Sequence, residues 1–259
     1  MSRVSDILAN YRNRRHLLQT MHLPARPYGG PDFLYMKNHK AACTNVLTLL
    51  ITQMHHAASG GTPPKISMKR VHNLPADYLR AGARSLTWQT AQAALIEPGW
   101  FRFTMVRDPV RRTVSAWADK MQPGSNPRHR KDLMTYLGRD PEATVELPEF
   151  LDILARDTGA RDIDRHWRPQ HKEISYGLID YDLIGRVEAM DDARQGIVTA
   201  LFGPEAQAVP VPDTREKLGH RSASHRLVET LSAQDRRNIE RAFARDFEMY
   251  ETVSKRDAA

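Results

Sequence analysis

A single cysteine, Cys43, stands among 259 residues, so no disulfide can form within the chain and any fold must rest on its own core. Aromatic residues are few, at 7%, and no stretch approaches the ~20 apolar residues of a membrane-spanning helix. The segment Met1 to Leu23 carries Arg3, Arg12, Arg14 and Arg15 with no continuous apolar run, unlike a leader peptide. Together these absences predict a soluble, cytoplasmic protein. Repeats, low-complexity segments and composition breaks are lacking too. A single domain over 1–259 is expected, with a basic N-terminal helix and lead-in at 1–30 and a C-terminal helix within 226–259. No metal-ligand cluster is visible in the sequence, so no metal is expected.

What is present is ordinary for a globular chain, with 41% hydrophobic and 27% charged residues. The 38 basic and 31 acidic residues leave a net charge of +7. That balance favours a polyanionic partner: nucleic acid, anionic lipid or a multiply phosphorylated cofactor.

The stretch Phe33 to Leu50 organises the rest. Phe33–Met36 is a short apolar run after Gly29, Gly30 and Pro31, and Val46 to Met54 is apolar nearly all round. A buried strand, a tight turn and a buried helix follow from this pattern. Between them lies Lys40-Ala-Ala-Cys-Thr-Asn45, with Thr44 expected at the helix start. A cation and several free backbone N–H groups then face one spot, an anion site. The glycines of the usual nucleotide-phosphate loop are missing, but Ala41 and Ala42 are small enough for close approach. A plain strand–helix junction with a solvated lysine is the alternative.

Val4, Ile7, Leu8, Tyr11 and Leu18 fall at helical spacing over Val4 to Leu18. Such a basic amphipathic helix could touch a membrane peripherally, although its short apolar face, interrupted by Arg15, favours docking on its own domain. Ala57 to Pro64 reads as a loop and Ile66 to Val71 as a strand that leaves His72 at its end. In an open parallel sheet that is where ligands collect, although a loop histidine bonded to the backbone fits as well. Thr87 to Ile96 is a predicted helix. Phe101 to Val106 is a strand, and Asp108-Pro109 opens a helix through Met121 with Asp108 as N-cap. Arg107 at the strand end and Ser115, eight positions on, can meet on a single phosphate.

Pro123 to Asp132 reads as a basic loop, Pro148 to Ala155 as an amphipathic helix, and Ile179 to Glu188 as a strand with its approach. Asp191 to Phe202 is a helix. Val209 to His225 is a breaker-rich basic loop carrying Arg215, Lys217, His220 and Arg221. The last helix starts at Ser232 with Asp235 in a capping-box-like pair and buries Ile239, Ala242, Phe243, Phe247 and Tyr250.

Lys40-Ala-Ala-Cys-Thr-Asn45 resembles the 5′-phosphosulfate loop of the Golgi-type carbohydrate sulfotransferases. Arg107-Asp-Pro109 with Ser115 and the aromatic Trp117 resembles their 3′-phosphate motif. His166-Trp-Arg-Pro-Gln170 followed by Tyr181-Asp-Leu-Ile-Gly185 resembles a third family element. The likeness covers roughly 33–188 and, more loosely, the last helix. It implies an α/β fold, a single domain with a central parallel sheet flanked by helices, of the P-loop nucleotide-kinase-like sulfotransferase type. It also implies transfer of a sulfuryl group from 3′-phosphoadenosine 5′-phosphosulfate (PAPS) to a hydroxyl of a carbohydrate or glycoconjugate.

On that likeness Lys40, Ala41, Ala42, Cys43, Thr44, Asn45, Arg107 and Ser115 bind the donor, with Lys40 the principal catalytic cation. His72 is preferred as general base over His166, which would then position the acceptor or a lid, and Glu188 is the next candidate. Where the family carries cysteines, this chain reads Glu173-Ile-Ser-Tyr-Gly177, in keeping with a reducing compartment. Acceptor specificity is expected in 57–65, 122–146 and 205–225. Two other functions are open. A nucleotide-dependent phosphoryl transferase would need Mg²⁺ carboxylates and a glycine-rich loop, and a nucleic-acid-binding protein would need a recognisable motif behind its charge.

Overall fold

The computed structural model describes residues 3–25, 28–60, 71–72, 79–81, 86–210 and 226–257. In chain order they form α1 (Arg3–Ala9), α2 (Arg14–Leu18), β1 (Met21–Pro24), β2 (Phe33–Met36), α3 (Cys43–Ser59), β3 (Leu79–Ala81), α4 (Trp88–Ile96), β4 (Phe101–Val106) and α5 (Pro109–Lys120). There follow α6 (Pro127–Tyr136), α7 (Leu147–Arg156), α8 (Thr158–Asp162), α9 (Gln170–Glu173), β5 (Leu183–Arg186), α10 (Met190–Phe202) and α11 (Ala233–Asp257). The chain divides into two compact units, Met1–Val106 with Lys172–Thr214, and Arg107–His171 with Arg215–Ala259.

The first unit holds a five-stranded sheet of order β3-β1-β2-β4-β5. β2, β4 and β5 run parallel, as expected. β1 is antiparallel to both neighbours, which makes the sheet mixed rather than wholly parallel. The cause is the connection. Only residues 25–32 join β1 to β2, and a parallel crossover needs a dozen residues or more.

Alternation along β2 sends Phe33 and Tyr35 to one face and Leu34 and Met36 to the other. On the first face they meet Phe103 and Met105 of β4, α3 and α10. On the second they meet α1, α2 and α4. A strand buried on both faces reads as a continuous apolar run, hence Phe-Leu-Tyr-Met.

Arg102 is the polar interruption of β4, yet it is buried. Its guanidinium caps the end of α4 by donating to the carbonyls of Ala94, at 2.8 Å, and Glu97, satisfying acceptors that a helix end leaves open.

The second unit packs α5, α6, α7 and α11 around Trp117, Phe150, Trp167 and Phe243. Both indoles donate to backbone carbonyls, Trp117 to Val145 at 3.0 Å and Trp167 to Ala160 at 2.9 Å.

Several expectations need correction. The helix read over Val4 to Leu18 is two, because the Asn13 side chain accepts from His16 N and starts a new one. The loop read over Pro123 to Asp132 contains the start of α6, where Asn126 caps and Pro127 takes the first helical position. α3 begins at Cys43 rather than Thr44 and continues to Ser59, so the loop placed from Ala57 starts later. The strand over Ile66 to Val71 and the basic loop with Arg215, Lys217, His220 and Arg221 fall largely or wholly outside the described residues. Ser232 and Asp235 do cap α11 reciprocally, through Ser232 N to Asp235 Oδ2 at 3.0 Å and Asp235 N to Ser232 Oγ at 3.1 Å.

Candidate active site

In the first unit, β2 ends and the chain turns through Lys37 to Ala42 into α3. Asn38 ties the turn to the sheet, its amide donating to the Met105 carbonyl at 2.9 Å. Lys40 and Ala42 take left-handed backbone, with φ of 65° and 56°. Ala42 is the N-cap of α3 and has no side-chain oxygen to bond the helix's first N–H groups. At most helix starts Ser, Thr, Asp or Asn does so. Here those groups and the positive end of a 17-residue helix stand beside the half-buried Lys40. Ala41 is fully buried. Cys43 is a free thiol.

His72 is brought to the same loop. Its Nε2 lies 2.9 Å from Thr44 Oγ1, while Asn45 Oδ1 accepts from Arg194 Nε at 3.0 Å. Of the residues predicted for this end of the donor, Lys40 to Asn45 and His72 therefore share one place. A cavity of about 740 Å³ in this unit, lined by Tyr28, Gln53, His56, Phe202 and Glu205 among others, opens at the other end of α3. His56 is thirteen residues beyond Cys43, about 20 Å along the axis, so this cavity is not the anion loop.

In the second unit, Arg107 leads into α5. Asp108 Oδ1 accepts from Arg111 N at 2.8 Å and Pro109 is the first helical residue. Ser115 follows two turns down and is half-buried. The Arg107 backbone is held by a side chain the sequence reading assigned no task. Gln170 accepts from Arg107 N at 3.0 Å and donates to Arg107 O at 2.8 Å. Gln170 is held in turn by α11. Asp246 accepts from Gln170 N at 2.7 Å and from His171 N and Nδ1 at 2.9 and 2.6 Å. The His-Trp-Arg-Pro-Gln stretch thus supplies a core indole at Trp167 and a backbone clamp at Gln170.

His166 belongs to a third arrangement, also in the second unit. Asp164 Oδ1 takes the His166 backbone N at 2.8 Å and its Nδ1 at 2.5 Å, and Oδ2 takes His129 Nδ1 at 2.6 Å. Burial raises the Asp164 carboxyl, but the hydrogen bonds from His129 and His166 outweigh this and hold it well below the usual carboxylate range. Burial lowers His166 to about 4 despite the Asp164 charge beside it. The imidazole is therefore neutral near pH 7, its Nδ1–H directed at Asp164, so that Nε2 is the proton-accepting nitrogen.

The ligand atoms of His129, Asp164 and His166 all lie within 4.8 Å of one another, as a metal site requires. Ligands at 2.0–2.1 Å in a tetrahedron stand about 3.3 Å apart. Contacts of 2.5 and 2.6 Å are instead those of charge-assisted hydrogen bonds.

Glu188 lies in a 3₁₀ turn, Val187–Ala189, just beyond β5. Among the described residues no helix is long and apolar enough to cross a membrane.

Residues 30–251 match the family model described as "Sulfotransferase family". Carbohydrate sulfotransferase 8 from Mus musculus is 26% identical over 230 residues, 84% of this chain and 53% of that protein. The Homo sapiens protein of the same name is also 26% identical, over 84% of this chain and 52% of its own length. The chain thus spans about half the length of these curated relatives. No solved structure matches. With a family match over residues 30–251, most of its length, the chain belongs to the sulfotransferase family.

Proposed function

We propose that the chain transfers a sulfuryl group from PAPS to a hydroxyl of a carbohydrate or glycoconjugate. The observation that carries this reading is the turn between β2 and α3, where Lys40 stands beside a helix start with no capping side chain. The family match supports sulfuryl transfer, and the relatives named carbohydrate sulfotransferase support the acceptor class. The single cysteine supports assignment to a reducing compartment such as the cytoplasm.

In this reading Lys40 and the first N–H groups of α3 bind the 5′-phosphosulfate, and Arg107 with Ser115 bind the 3′-phosphate. The acceptor oxygen forms its bond to sulfur as the bond from sulfur to the bridging phosphate oxygen breaks. The negative charge left on that oxygen faces Lys40, and the acceptor proton passes to a histidine. His72 and His166 are the two candidates. The Asp164 carboxylate behind His166 favours His166, because it fixes the tautomer that accepts at Nε2. His72 keeps its Nε2 against Thr44, which suits a residue that shapes the anion loop.

Calorimetric titration with 3′,5′-adenosine bisphosphate tests the donor assignment, and turnover of labelled PAPS against a glycan panel tests the acceptor. Binding of the bisphosphate without ATP binding is expected. Binding of ATP with Mg²⁺-dependent turnover would instead establish a phosphoryl transferase.

A further inference from the structure

Glu173 is fully buried, and neither the donor nor the base assignment uses it. A carboxylate without access to water is costly unless hydrogen-bonded and paired. Here His39 supplies the hydrogen-bonding partner, with His16 close by. His39 Nδ1 lies 3.2 Å from Glu173 Oε1, and His16 Nε2 lies 3.8 Å from Oε2. The tautomer of His16 follows from its other nitrogen, which accepts from Arg12 N at 3.4 Å. In the neutral ring the proton then sits on Nε2 and faces the carboxylate. The backbone of Glu173 is fixed as well, since Tyr11 Oη donates to its carbonyl at 2.6 Å and itself accepts from Ser175 Oγ at 3.3 Å.

His39 immediately precedes Lys40, whose left-handed backbone is a strained state for a residue with a side chain. Such states persist where the surroundings over-determine them. Asn38, two residues before Lys40, is pinned to β4, and His39, immediately before it, is held through its ring by the Glu173 carboxylate. We propose that Glu173 and His39 are positioning residues of the donor loop, the carboxylate acting through the imidazole to hold the backbone of Lys40 in its anion-binding form. The inference rests on the sulfotransferase reading.

The test is calorimetric titration of the purified chain and its variants with 3′,5′-adenosine bisphosphate, alongside thermal melting. His39→Ala is expected to weaken binding about tenfold. His39→Asn, which keeps an N–H where Nδ1 stood, should restore it to within about threefold of wild type. Glu173→Ala should weaken binding to the same degree, and the double variant should be no worse than either single one, because the two act in series. A role confined to stability would move the melting temperature while leaving the affinity of the folded protein unchanged. His39→Ala binding within twofold of wild type, or losses that multiply in the double variant, would overturn the inference. Should Glu173→Ala not fold, the His39 pair alone decides. A wild-type chain that does not bind the bisphosphate overturns the sulfotransferase reading, and this inference with it.

Discussion

At residue 40 a lysine takes left-handed backbone two residues before the N-cap of α3. Losing one such electrostatic group typically costs ~10²–10³ in rate, so Lys40→Ala should lower kcat by that factor in a PAPS turnover assay. A change of only a few-fold would remove Lys40 from the chemistry. Arg107 makes a different prediction. A charge-assisted hydrogen bond is worth about 1.5–3 kcal/mol, so Arg107→Ala should weaken 3′,5′-adenosine bisphosphate by roughly 10–150-fold and 5′-AMP hardly at all. Equal losses for both ligands would make the arginine structural. For His166, lowered to about 4 by burial, the base form prevails through the neutral range. The acid limb of kcat should then lie near pH 4, with a flat profile from about 5 to 7.5, and His166→Ala should remove rate and limb together. If His72→Ala does so instead, the base is His72. Residue types were legible at this scale where a motif fixed their spacing. Asp164, Gln170 and Glu173 received no task because their work is to hold other groups, which no spacing announces.

Among elements, the strand–turn–helix units at β2–α3 and β4–α5 were legible because apolar runs, Asp108-Pro109 and small residues in the turn all agree. β1 was not. Four residues ending in proline carry too little pattern, and the strand exists because its neighbours in the sheet pair with it. α6 was missed although Asn126-Pro127 offers the same cap-and-proline start that revealed α5. The basic run after it drew the reading toward a loop. The Gln170 clamp predicts a cost of its own. Gln170→Ala strands the Arg107 N–H and carbonyl that it now bonds, and an unsatisfied buried group costs about 1–3 kcal/mol. Denaturant unfolding should show a loss of that order, with 3′,5′-adenosine bisphosphate affinity falling alongside. Stability lost at unchanged affinity would separate the clamp from binding.

At the level of the whole molecule, acid sensitivity follows from histidines held neutral in each unit. Burial, with Lys37 and His72 nearby, puts His22 well below its ordinary range, and burial does the same to His166. Below about pH 6.5 the unfolded chain takes up protons that the native chain refuses, so stability falls as pH drops from 6.5 toward 4. Thermal melts across that interval should show a falling Tm, and His22→Gln should flatten the slope. A Tm constant from pH 7 to 5 would contradict the burial argument. The α/β class was legible from the alternation of runs, whereas the division into two units was not, because no composition break marks Val106 or His171. One buried carboxylate could have been noticed in advance. Asp246 falls on the stripe of α11 that otherwise carries Ile239, Ala242 and Phe243. Because Asp246 secures Gln170, and Gln170 secures Arg107, the proposed 3′-phosphate anchor depends on a helix synthesised nearly 140 residues after the arginine it serves. During translation the proposed anchor thus comes into being only once α11 has been made, so a nascent polypeptide stopping short of α11 would carry the proposed phosphosulfate loop yet lack the clamp that holds Arg107.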